Sequence, residues 1–153
     1  MHLFQRLHPA LVLIDPPVAD REALFAAVAE AVAGVHPGVE PARVIQALME
    51  REAILSTGVG RGVAVPHGQV PGLEGLLVGA STHPGGIAYP SLDGEPVRLV
   101  FCLLGSPGTA ADHLACLARV ARLARRVDSL EPLVTASSAR EFLQRLEALE
   151  RGV

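Results

Sequence analysis

Arg51-Glu-Ala-Ile-Leu-Ser-Thr-Gly-Val-Gly-Arg-Gly-Val-Ala-Val-Pro-His67-Gly68 carries one histidine out of a short apolar run and into a glycine-flanked turn. Val63-Ala-Val65 reads as a buried strand. Pro66 holds Val65 extended and ends the ladder there, because a proline ring fixes φ, lacks an N–H and crowds the residue before it. His67 is therefore expected just past a strand end, where an imidazole can meet a reactant. Gly68 has no Cβ, so an anion bound to that imidazole could approach the backbone and accept its N–H. This local chemistry suits a phosphoryl group.

Upstream, Pro41 opens a predicted helix over 41–52, with Val44, Ala47, Leu48 and Ile54 toward the core and Arg51 in or just after the last turn, where a cation is favourable. Before it, residues 10–14 predict a strand stopped by Asp15-Pro-Pro17. Asp20 is placed to cap a helix over 21–33, with Leu24, Val28 and Val32 on one stripe and Gly34 as its stop. Downstream, Leu76–Ser81 and Val97–Leu104 read as strands, joined by a Pro/Gly-rich stretch over 83–96 that forms a hairpin or a small excursion. Thr109-Ala-Ala-Asp112 predicts a capping box before a helix running to about 127, with Cys116, Val120, Leu123 and Val127 on its apolar stripe. Ser138-Ala-Arg-Glu141 predicts a second box before a final helix carrying Phe142, Leu143, Leu146 and Leu149. The order of elements, without repeat or linker, predicts one α/β domain over 1–153 with a mixed β-sheet flanked by helices.

Three parts of the opening stretch, Arg51-Glu-Ala, Ser56-Thr-Gly-Val-Gly60 and Val63-Ala-Val-Pro-His67, resemble the active-site signature of type-2 enzyme IIA domains. These are the fructose/mannitol and nitrogen-regulatory class of the bacterial phosphoenolpyruvate-dependent phosphotransferase system. Asp93-Gly-Glu-Pro-Val97, Leu99-Val-Phe-Cys-Leu-Leu104, Asp112-His113-Leu114 and Leu117-Ala-Arg-Val-Ala-Arg-Leu123 follow in the family's order. The resemblance extends over roughly 10–148 and is strongest over 51–126. It implies that His67 accepts a phosphoryl group from the phosphohistidine of the carrier HPr. The group then passes to a IIB-type domain in sugar uptake or serves as a nitrogen or metabolic signal to a regulatory target. Arg61 and Gln69 depart from the family pattern at positions that bear on how a partner docks.

The residue chemistry agrees with that role. A neutral imidazole is the attacking form, and a histidine at its ordinary pKa of about 6.5 is roughly three-quarters neutral at pH 7. His113 lies about four residues into a helix whose N-terminus carries partial positive charge, and the resemblance places it beside the acceptor as a donor to the phosphoryl oxygens. Arg51 offers a planar fork of donors to the phosphoryl in flight. Ser56 and Thr57 are candidate hydroxyl or backbone donors to phosphate, together with Gly68. The arginines at 119, 122, 125 and 126 read as a solvated helix face or a partner surface.

Composition narrows the alternatives. Half of the 153 residues are hydrophobic but only 3% are aromatic, so the core is built from Leu, Val, Ala and Ile, and base-stacking platforms are scarce. With a formal charge of −3 there is no basic footprint for nucleic acid. Cys102 and Cys116 lie in apolar surroundings and read as free buried thiols. The absence of a signal segment and of an apolar run of about 20 residues predicts no membrane insertion and a cytoplasmic protein; with no IIB, IIC or HPr segment beside the resembled domain, it is expected to work as a separate subunit. No cofactor is expected, since no dinucleotide or nucleotide-phosphate fingerprint is present. Two other functions remain open. One is a regulatory binding module on the same fold, independent of phosphorylation. The other is a hydrolytic metal held by His67 and His113, for which no spacing provides a third ligand.

Overall fold

Alternation along two central strands sets the architecture. The computed structural model describes residues 2–126 and 130–152. Strands β5 (Leu77–Ile87) and β6 (Val97–Gly105) pair antiparallel, with Val78 opposite Leu103 and Ala80 opposite Phe101. Along β6, Leu99, Phe101 and Leu103 enter one core while Val100, Cys102 and Leu104 enter another, the two-residue period of a pleated strand. Both faces are covered, which is why Leu99–Leu104 reads as an unbroken apolar run. Each fully buried Leu or Phe in these layers contributes about 1.5–3 kcal/mol.

Strand β1 (Leu7–Ile14) lies parallel to β5 on one side. On the other side of β6 lie β3 (Val63–Ala64) and β4 (His67–Gln69), both parallel to it, with β2 (Gly58–Gly60) antiparallel to β3. The order is β1-β5-β6-β3-β2, with β4 also on β6. Helices α2 (Arg21–Val35) and α3 (Pro41–Ile54) cover one face. The other face is covered by α1 (Leu3–Arg6), α4 (Ala110–Arg125), α5 (Leu130–Val134) and α6 (Ala139–Arg151). This is a mixed sheet flanked by helices, as the order of elements predicts. Cys102 and Cys116 are buried free thiols.

Several local expectations are met. The Asp20 carboxylate accepts from the Ala23 N–H at 2.8 Å, and the Ser138 hydroxyl accepts from the Glu141 N–H at 3.0 Å, although the Glu141 carboxylate closes the expected box on the Ser137 N–H rather than on that of Ser138. Others are corrected. Gly34 does not stop α2; the helix runs to Val35 and ends where Pro37 makes helical geometry unfavourable at His36. Thr109 caps nothing with its side chain. Its backbone (φ −97°, ψ 14°) is not extended, so the hydroxyl turns back and donates to the Ser106 carbonyl at 2.8 Å, while Asp112 pairs with Arg6 at 3.4 Å. Helix α4 ends at Arg125, and Val127 lies outside the described residues. The stretch over 83–96 continues β5 as far as Ile87, across a register irregularity holding Pro84-Gly85-Gly86.

One buried polar pair near the end of β5 makes stability depend on pH. His83 is 2% exposed, with Nε2 at 2.8 Å from the Ser81 hydroxyl. Burial lowers its pKa to about 4, against a smaller opposing pull from Asp15. The folded chain therefore holds His83 neutral while the unfolded chain takes up a proton below about pH 6.5. The contribution is complete above pH 6.5 and is lost as pH falls toward 4, amounting to about 3 kcal/mol. Urea unfolding of wild type and His83→Gln between pH 7 and pH 4 is expected to show the wild type losing stability faster. Parallel curves would assign that loss to other groups.

Candidate functional site

His67 sits in a broken edge strand. Expected in a turn, it instead opens β4, opposite Leu103 of β6. Pro66 removes only a donor: its carbonyl still accepts from the Leu103 N–H at 3.0 Å, so the ladder resumes one residue later. The break turns the imidazole back on its own strand, where Nδ1 lies 2.8 Å from the Val65 carbonyl. A carbonyl only accepts, so Nδ1 carries the proton and Nε2 keeps the lone pair. The residue is half-buried and lines a cleft of about 480 Å³.

Register and a tight turn bring His113 alongside. β6 ends at Gly105, where a Cβ would overlap the Thr109 hydroxyl and lie 3.3 Å from His113 Nε2. Only glycine lets α4 begin this close to the strand that pairs with β4. The two imidazoles meet edge to face, with centroids 6.1 Å apart. His113 Nε2 is buried and has no hydrogen-bond partner among the described residues. Burial, and next His67, lower the His113 pKa, while Asp112 opposes this more weakly. It is therefore neutral at pH 7, with one ring nitrogen free for an incoming group.

Arg51 arrives from the opposite helical layer. Ala47 of α3 packs on Gly68, where an added Cβ would lie 3.2 Å from the Ala47 carbonyl oxygen. Arg51, one turn further on, lines the same cleft as His67, and its Nη1 donates to the Leu55 carbonyl at 2.7 Å. The open side of Gly68 is thus taken by α3, and its backbone lies in the ladder opposite Leu104. The donors of Ser56 and Thr57 are engaged as well. The Ser56 hydroxyl donates to the Pro90 carbonyl, and the Thr57 hydroxyl donates to Glu52. Both residues line the cleft, but the hydroxyls expected to serve a phosphate are spent on partners within the protein.

The organiser of that loop, Glu52, is absent from the candidate residues drawn from the sequence. Its side chain is 1% exposed. It accepts from the Thr57 N–H at 3.1 Å, from the Thr57 hydroxyl and from the Tyr89 phenol, with Arg21 Nη1 at 3.7 Å. Burial first, and the Glu52 hydrogen bond next, push the Tyr89 pKa above the ordinary phenol range. The signal was present in α3: Val44, Leu48 and Glu52 follow at four-residue spacing, which puts a carboxylate on the buried stripe. Ile54, expected near the core, is 80% exposed. The β2–β3 hairpin completes the wall, with positive φ at both Arg61 (58°) and Gly62 (78°) and the Asp93 carboxylate accepting from the Arg61 N–H at 2.8 Å.

Around the cleft, Leu55, Val59 and Leu92 are exposed. An apolar rim around a polar centre fits a protein surface better than a small polar ligand. Among the described residues no three metal-ligating side chains cluster, so the metal alternative still lacks a third ligand. No helix among them is long and apolar enough to cross a membrane.

Comparison with known proteins agrees with this geometry. The chain is 44% identical over 96 residues to a nitrogen regulatory protein of Bradyrhizobium diazoefficiens, an alignment spanning 63% of each chain. It is 32% identical over 106 residues to the mannitol-specific phosphotransferase enzyme IIA component of Staphylococcus aureus, covering 67% of this chain and 69% of that one. The crystal structure of the nitrogen regulatory protein IIA-Ntr from Neisseria meningitidis superposes with a TM-score of 0.84 at 28% identity, covering 94% of this chain and 98% of that one. The profile of the phosphoenolpyruvate-dependent sugar phosphotransferase system, EIIA 2, matches residues 5–149, and the chain belongs to that family.

Proposed function

We propose that the chain is a phosphohistidine carrier in the cytoplasm. His67 Nε2 attacks the phosphorus of a phosphohistidine on an HPr-type protein; one N–P bond breaks as another forms, and the donor imidazole leaves with its electron pair. The observation that carries this reading is the hydrogen bond from His67 Nδ1 to the Val65 carbonyl, which fixes the tautomer and leaves Nε2 nucleophilic in an open cleft. Arg51 is assigned to charge stabilisation of the phosphoryl in transfer, and His113 Nε2 to a hydrogen bond with one of its oxygens. Ser56 and Thr57 line the site, and Gly68 lets α3 pack closely behind His67. The phosphoryl group then leaves for a IIB-type domain, or the phosphorylation state acts as a signal to a regulatory target; relatives named for either role support both outlets.

Incubation with phosphoenolpyruvate, enzyme I and HPr is expected to add one acid-labile, base-stable phosphate, read by intact mass, and none to His67→Ala. Phosphate retained by that variant would sink the assignment. A second reading, a binding module independent of phosphorylation, is favoured by Arg61, whose guanidinium lines the cleft and donates to the Arg125 carbonyl at 3.2 Å. A target bound equally by wild type and His67→Ala would support it.

A further inference from the structure

Six of the chain's thirteen basic residues, all of them arginine, lie along one continuous path. Arg51, Arg61 and Arg125 line the His67 cleft. Arg125 also opens a second hollow of about 440 Å³, between the C-terminal half of α4 and the end of α6, which Arg119, Arg122 and Arg126 share. Among the described residues, the only carboxylate lining either hollow is that of Glu150. Its oxygens accept from the Leu3 and Phe4 N–H groups at 2.7 and 2.8 Å. Among the described residues, Arg119, Arg122 and Arg125 have no carboxylate within ion-pair distance. This path runs against a chain whose formal charge is −3.

A helix C-terminus favours one or two cations in its last turn. Arg119 lies too far upstream for that account, and Arg119, Arg122 and Arg126 form a single i, i+3, i+7 stripe. The groove also disfavours a compact phosphate. Two helices end there, and their carbonyls are already met by arginine: Arg126 Nη1 donates to the Leu149 carbonyl at 2.8 Å, and Arg61 Nη1 to that of Arg125. Carbonyl ends repel a small anion seated among them, whereas guanidiniums reaching outward suit carboxylates spread over a surface. The floor supplied by Leu123 and Leu149 and the exposed rim at Leu55, Val59 and Leu92 give the same surface an apolar share.

We propose that the proteins exchanging a phosphoryl group with His67 seat an apolar patch on the cleft rim and set a flank of Asp and Glu against Arg119, Arg122 and Arg125. The proposal rests on the carrier reading of His67. It assigns these arginines to recognition and rate of encounter, since they stand beside the reacting atoms rather than on them.

The test is single-turnover transfer from a cognate phosphorylated HPr-type carrier to wild type and to Arg119→Glu/Arg122→Glu, at low and high salt. Phosphoramidate serves as a small donor with no docking surface. The double variant is expected to accept from the carrier about ten-fold more slowly at low salt and to lose the wild type's salt dependence. Labelling by phosphoramidate stays equal, which also shows that the variant is folded. Transfer that is unchanged or faster in the variant overturns the proposal. Should wild type take phosphate from neither donor, the carrier reading fails. The surface is then decided by amide NMR titration with an acetylated Glu-Glu-Leu repeat peptide. Shifts at Arg119 and Arg122 that vanish in the variant support the acidic partner; their absence, or saturation by ATP at lower concentration than by the peptide, overturns it.

Discussion

Replacing His113 with alanine is expected to slow phosphoryl uptake by His67 about 10²–10³-fold, the usual cost of removing one preorganised donor from an oxyanion site. Nε2 of His113 is buried without a partner among the described residues, while its ring lies 6.1 Å from that of His67. Leaving a buried polar atom unpaired costs about 1–3 kcal/mol, a penalty recovered when an oxygen arrives. The phosphoryl group supplies that oxygen only during and after transfer, so the interaction accelerates the reaction and not merely binding. His113→Gln, whose amide nitrogen reaches nearly the same point, is expected to recover part of the loss. Rapid-quench transfer from a phosphorylated carrier is the readout. A wild-type rate in His113→Ala would leave this residue with a packing role on α4.

The second large effect falls on stability. Glu52→Ala removes the acceptor for the Thr57 N–H, the Thr57 hydroxyl and the Tyr89 phenol, and leaves Arg21 without its buried counter-charge. Breaking a buried ionic and hydrogen-bonded centre in this way costs about 3–5 kcal/mol, which for a chain of this size lowers Tm by roughly 10 °C. Glu52→Gln is expected to lose less: its carbonyl oxygen still serves Tyr89, while its amide faces a second donor at Thr57. Urea unfolding at pH 7 distinguishes the two variants. An alanine variant within about 1 kcal/mol of wild type would mean that water replaces the carboxylate and that the loop does not depend on it.

The difference between His67 and Glu52 shows what the sequence made legible. His67, His113 and Arg51 are separated along the chain, yet their residue types and surrounding glycines and prolines carry chemistry that local reading can name. The fold placed His67 and Arg51 in one cleft and His113 against the His67 ring. Strands buried on both faces, such as Val97–Gly105 with its unbroken apolar run, and helices with a polar cap, such as those after Asp20 and Ser138, were likewise readable. Glu52 was hidden because a glutamate near a helix end usually faces water, and its partners Tyr89 and Arg21 come from distant segments. Helices α1 and α5, of four and five residues, are too short for a period to emerge; α1 exists because Glu150 receives its first N–H groups. Pro66 misled for a physical reason: a proline ends a ladder only on its donor side, and the acceptor side kept His67 in the sheet.

The most direct measurement is a long-range ¹H–¹⁵N spectrum of the chain after phosphorylation by HPr, with the phosphorus coupling assigned to one ring nitrogen. Coupling to Nε2 of His67, with Nδ1 still protonated toward Val65, is the result predicted here. Phosphorus on Nδ1, or on any other residue, would contradict it.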